Sequence, residues 1–164
     1  MSETMGIMSM KKWVWLLLSV LIAIIDQWSK TAIQNHLIAY QPYPVMPFFN
    51  LTLAYNTGAA FSFLSHAGDW HRWFFAGISL LMSGVFVIWI LRLPQKATIQ
   101  LAGLSLILGG TLGNLYDRWL FGHVIDFVDL YYKTHHFAIF NVADSAICLG
   151  AFLLLIDMRS SPNK

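Results

Sequence analysis

Asp144 is the only charged residue between Phe137 and Ile156, in a run otherwise apolar enough to cross a bilayer. A carboxylate near the middle of a membrane helix costs roughly 2.5 to 3.5 kcal/mol on insertion scales, so its presence implies a function and a nearby partner. Asp126 is the best partner. It ends the stretch Phe121-Gly122-His123-Val124-Ile125-Asp126, just ahead of the apolar run. Two carboxyls brought together by one fold can share a proton and activate water. The pair predicts an intramembrane aspartyl hydrolase.

Other polar residues gather at the same depth. Asp26 and Lys30 are one helical turn apart in a first apolar segment and can face each other. Asn114, Asp117 and Arg118 end a third segment, after Gly109, Gly110 and Gly113, whose missing side chains permit close helix approach. Asn141 shares a helix face with Asp144. Singly, each has a bland explanation: Asp26 with Lys30 as a helix-end ion pair, Arg118 neutralising Asp117, Asn141 as a cap. Together they would be several independent costly placements without a shared purpose, which favours one site. His135 and His136 are adjacent rather than at ligand spacing, so no metal is expected. The single cysteine, Cys148, has no histidine on its helix to activate it.

The elements that must position these groups are membrane helices. Hydrophobic residues make up 57% of the 164 residues and charged residues 11%, against about a quarter charged in a soluble domain. That length allows one domain of about four spans with short connections. The spans fall at about 13–33, 73–91, 97–116 and 137–156. With the N-terminus inside, Lys11, Lys12, Arg92, Lys96, Arg159 and Lys164 are cytoplasmic, while Lys30, Arg72, Arg118 and Lys133 lie outside. The excess of positive charge puts both termini in the cytoplasm and the polar cluster near the outer face. Between the first two spans, Pro42, Pro44 and Pro47 exclude a helix. Phe49 to Tyr55 alternates like a strand, and Asn56-Thr57-Gly58 supplies turn chemistry, so a small sheet on the membrane surface is expected. The net charge of +2 and the lack of a basic run argue against nucleic acid. A proton-coupled transporter would need polar groups at the midplane and a route to both faces, whereas the inner halves of these helices are almost featureless. A structural membrane subunit would need none of the buried charges.

Five blocks in register carry a resemblance. Asp26-Gln27-Trp28-Ser29-Lys30, Asn56-Thr57-Gly58-Ala59-Ala60-Phe61-Ser62, Gly109 to Arg118, Val124-Ile125-Asp126-Phe127 and Phe140-Asn141-Val142-Ala143-Asp144-Ser145 are similar to the signature blocks of bacterial lipoprotein signal peptidase, or signal peptidase II. The resemblance implies a four-helix aspartyl protease of the bacterial inner membrane with an outer β-cradle. Such an enzyme removes signal peptides from prolipoproteins by cutting before a diacylglyceryl-modified cysteine. It also implies Asp126 and Asp144 as the catalytic dyad, with Asn56, Gly58, Asn114, Arg118 and Asn141 lining the site and Asp26, Lys30 and Asp117 supporting it. No cofactor is implied. The expected partners are the modified prolipoprotein and membrane lipids, acting on a monomer.

Overall fold

A computed structural model describes residues 2–58 and 70–160 of the chain. The block residues Ala59 to Ser62 and the terminal Lys164 lie outside the described residues. Four helices and four strands follow in the order α1 (Ser2–His36), β1 (Tyr43–Met46), β2 (Phe49–Asn56), α2 (Trp70–Arg92), α3 (Thr98–Leu120), β3 (Val124–Tyr132), β4 (His135–His136) and α4 (Val142–Ser160). Three stretches are long and apolar enough to cross a bilayer: Lys12–His36, Trp70–Arg92 and Thr98–Leu120. The fourth helix, 19 residues long, carries Asp144, Asp157 and Arg159 near its ends.

α3 is the central helix, and its glycines let the others approach. A Cβ on Gly110 would collide with the Ala143 carbonyl of α4, and one on Gly113 would stand 2.5 Å from the Asp26 carboxylate of α1. Small residues at such crossings replace side-chain bulk by direct helix contact. The apolar core is Ile90, Leu101, Leu104 and Leu108, where the end of α2 meets the start of α3. The polar groups occupy the opposite half of α3, around Asn114 and Asp117, both buried.

The sheet runs in the order β1-β2-β3-β4, every neighbour antiparallel. Pro44, which has no N–H to donate, sits on the edge strand β1, where a proline is tolerated. β2 takes its partner from the other side of two helices: Asn56 pairs with Val124 and Ala54 with Asp126, so the Asn56 turn lies beside the carboxylate strand. Asp129 of β3 is buried and accepts from Thr52 Oγ1 at 2.8 Å and His136 Nδ1 at 2.7 Å, which fastens β2 and β4 to the same strand.

Three sequence expectations need correcting. The fourth helix does not begin at Phe137: residues 137–139 lie outside helix and strand, Phe140 bridges to Val128, and its carbonyl accepts from the N–H groups of Phe127 and Val128 at 3.0 and 2.8 Å. Asp144 therefore lies in the first turn of α4, not in mid-helix. Asp126, expected in a short stretch ahead of that helix, is inside a nine-residue strand. The third helix also continues past position 116 to Leu120, which makes Asp117 and Arg118 helical.

Candidate active site

α1 and α3 meet through an ion cluster. Lys30 Nζ lies 2.7 Å from Asp26 Oδ2, 2.8 Å from Asp117 Oδ2 and 3.0 Å from Asn114 Oδ1. Lys30, Asp26 and Asp117 are essentially inaccessible, at 1%, 0% and 0% exposure. One ammonium between two carboxylates leaves an excess negative charge, and backbone donors stabilise it. Asp26 Oδ1 accepts from the Ala143 N–H at 2.9 Å, and Asp117 Oδ2 from the Ile125 N–H at 3.1 Å. Ala143 is in the first turn of α4, where the helix dipole favours an anion. The cluster therefore docks the start of α4 and the start of β3 onto α1 and α3. Lys30, not Arg118, neutralises Asp117.

Gln27, not singled out in the sequence as a site residue, completes the cluster by donating to Asp117 Oδ1 at 2.8 Å and to the Gly113 carbonyl at 3.0 Å.

On this base stand Asp126 and Asp144. Asn141 and Asp144 cap α4 reciprocally: Asn141 Oδ1 accepts the Asp144 N–H at 2.8 Å, and Asp144 Oδ2 accepts the Asn141 N–H at 3.2 Å. This is a capping box built from asparagine and aspartate. It leaves Asp144 Oδ1 to accept from Asn114 Nδ2 at 2.8 Å. Asn141 Nδ2 reaches Asp126 Oδ1 at 2.7 Å and Asn114 Oδ1 at 3.2 Å. The two carboxyls thus belong to one network, Asp126 to Asn141 to Asn114 to Asp144. Asn56 Nδ2 donates to Asp126 Oδ2 at 2.9 Å, while its own Oδ1 holds the Gly58 N–H at 2.9 Å. Gly58 has φ +88°, a left-handed conformation that favours glycine.

Arg118 stands at the edge of this network. It forms no ion pair among the described residues. Its Nη1 lies 3.4 Å from the Asn114 carbonyl and its guanidinium 5.8 Å from the Phe75 ring.

Burial pushes the Asp126 carboxyl up from 3.8 to about 6, and the Asp144 charge adds to the effect against the hydrogen bonds from Asn56 and Asn141. The folded protein therefore holds this proton more tightly than the unfolded chain. Stability should fall as pH rises from about 4 through about 6, by an amount on the order of 3 kcal/mol. The expected result is a melting temperature in detergent that changes less favourably from pH 5 to pH 8 in wild type than in Asp126→Asn, a comparison that cancels the opposite contribution of His123, whose burial lowers its affinity for a proton. Equal changes in the two proteins would contradict it.

Residues 18–160 match the family model of signal peptidase (SPase) II. The chain belongs to that family. It is 54% identical over 144 residues to a lipoprotein signal peptidase of Acinetobacter baumannii, covering 88% of this chain and 82% of the relative. It is 48% identical over 155 residues to one of Coxiella burnetii, covering 94% and 95%. A solved bacterial membrane enzyme, determined in meso at 1.9 Å, superimposes with a TM-score of 0.79 at 32% identity, over 88% of this chain and 92% of that one. Membership in the signal peptidase II family makes the chain a membrane-embedded peptidase, and the transporter and structural-subunit readings fall. Of the residues singled out in the sequence, Asp26, Lys30, Asn114 and Asp117 join one cluster, and Asn56, Asn141, Asp126 and Asp144 join the network above it. Gly58 reaches that network only through Asn56.

Proposed function

We infer that this chain is an aspartyl endopeptidase in which Asp126 and Asp144 activate water, and that it removes signal peptides from prolipoproteins before a diacylglyceryl-modified cysteine. The observation that carries this is the network through Asn141 and Asn114, which gathers two carboxyls from a strand and a helix start on one buried scaffold. Asp126, with its raised affinity for a proton, is the donor that polarises the scissile carbonyl. Its partner, Asp144, accepts a proton as the water oxygen attacks the carbonyl carbon. Collapse of the resulting diol breaks the C–N bond and delivers a proton to the leaving amine. The products are a signal peptide ending in a carboxylate and a lipid-modified cysteine with a free amine. Arg118 faces the substrate carbonyls; Asn56, Asn114 and Asn141 line the site by holding the carboxyl pair, with Gly58 fixing Asn56, and Asp26, Lys30 and Asp117 hold the scaffold.

The helix arrangement supports α4 as a fourth span. It follows α3 from the Gly110 and Ala143 crossing through Gly103 and Gly150 to Gln100, whose Nε2 lies 2.5 Å from Asp157 Oδ2. A helix running beside a span over that length shares its depth. Both termini are then cytoplasmic in the bacterial inner membrane, with the carboxyl pair near the outer face, in one monomeric domain. A substrate with acyl chains reaches such a site by diffusing within the bilayer.

The test is cleavage by the purified protein of a prolipoprotein with and without its diacylglyceryl group. The modified form should be cut immediately before the cysteine and the unmodified form left intact; equal cutting of both would overturn the substrate assignment. Exhaustive chelation should leave the rate unchanged, because the electrophile is a protonated carboxyl. Activity lost to a chelator and restored by zinc would favour a metallohydrolase.

A further inference from the structure

Arg72, in the first turn of α2, sends its guanidinium to the far end of α3. Its Nε donates to the Arg118 carbonyl at 3.1 Å, and its Nη2 to the carbonyls of Leu120, at 3.3 Å, and Trp119. The last four carbonyls of a helix lack intrahelical donors. In α3, Phe121 N–H serves Asp117 at 2.8 Å and Gly122 N–H serves Arg118 at 3.2 Å. No backbone N–H among the described residues reaches the other two, Trp119 and Leu120, and Arg72 takes both. Its charge also complements the negative end of the α3 dipole. The side chain lies flat on the turn that leaves the helix: Gly122 has φ +79°, and a Cβ there would stand 3.2 Å from Arg72 Cδ. The guanidinium also covers the Trp73 ring at 4.9 Å, and Trp73 packs edge-on against Trp119 at 5.4 Å.

This clamp bears on the reacting groups from two directions. Arg118 is in the last turn of α3, where a basic side chain ordinarily serves its own helix's carbonyls. With the last two carbonyls occupied by Arg72, the Arg118 guanidinium turns back along the helix to the Asn114 carbonyl, the residue whose side chain holds Asp144. The clamped turn is also the start of the path into β3, where Asp126 sits. The geometry points to Arg72 as a positioning residue for peptide cleavage, fixing the end of α3 so that Arg118 faces the carboxyl pair and β3 departs at the angle that sets Asp126. The inference rests on the assignment of Asp126, Asp144 and Arg118 to the reacting site.

The experiment measures kcat, KM and melting temperature for Arg72→Gln and Arg72→Lys, each alone and combined with Arg118→Lys, on the diacylglyceryl-modified substrate. Arg72→Gln should lower kcat by ~10- to 100-fold with KM little changed, as expected of misplacement rather than lost contact. Arg72→Lys keeps the charge but loses the fork, and should recover part of the rate. Each loss combined with Arg118→Lys should be smaller than the product of the separate losses, because both act through one guanidinium. A kcat within about twofold of wild type in folded Arg72→Gln, or losses that multiply fully, would overturn the role. If Arg72→Gln does not fold, Arg72→Lys carries the same comparison. Full turnover by Asp126→Asn in the same assay would instead overturn the carboxyl-pair reading.

Discussion

Asp126→Asn and Asp144→Asn are each expected to reduce turnover by about 10³-fold or more while leaving a folded, membrane-inserted protein. The amide keeps the size of the carboxyl but can neither take a proton from water nor return one to the leaving amine. Folding should survive because the scaffold beneath is separate: Asp26, Lys30 and Asp117 dock α4 and β3 without either member of the pair. At Asp126 both oxygens accept from amide groups of Asn56 and Asn141, so an asparagine there must turn one N–H toward another. A modest drop in melting temperature is therefore expected for that variant. At Asp144 the bond from the Asn141 N–H can be retained by an amide oxygen. Single-turnover cleavage beside a melting curve checks both, and near-normal turnover by either folded variant would remove it from the chemistry.

The largest effect on stability is expected from Lys30→Met. The substitution keeps the length of the side chain and leaves Asp26 and Asp117, both wholly buried, without their shared cation. Removing one partner from a buried ion pair costs about 3–5 kcal/mol, because the remaining charge has neither water nor a counterion. The variant should melt far below wild type in detergent or fail to accumulate. The loss should shrink when Asp26→Asn is added, since the amide removes one of the two stranded charges. Melting curves of the single and double variants test this. A Lys30→Met protein that melts with wild type would mean that Gln27 and the backbone N–H groups suffice to hold the two carboxylates.

Helical spacing made much of the site legible. Asp26 and Lys30 at i,i+4 and Asn141 and Asp144 at i,i+3 meet as those intervals require. The bland alternative in which Arg118 neutralises Asp117 fails because neighbours on a helix point about 100° apart, and Asp117 turns to Lys30. The run from Phe137 to Ile156 gave no sign of where strand-like pairing ends and helix begins, because hydrophobicity alone does not distinguish a short apolar non-helical segment from a helix. β3 was hidden for a related reason. Val124 to Phe127 are all buried, so the strand has no alternation to read there. Arg72 left no signal, since its partners are backbone carbonyls more than forty residues away, and any residue type supplies those.

Direct attack by water, the step assigned to the carboxyl pair, is tested most directly by a single turnover in H₂¹⁸O with chelator present, quenched in acid, with the intact protein and the released peptide weighed by mass spectrometry. Direct attack by water predicts one ¹⁸O in the new carboxyl terminus of the signal peptide and a protein whose mass never includes the peptide. A covalent peptide adduct on a serine, threonine or cysteine, formed before product release, would contradict it.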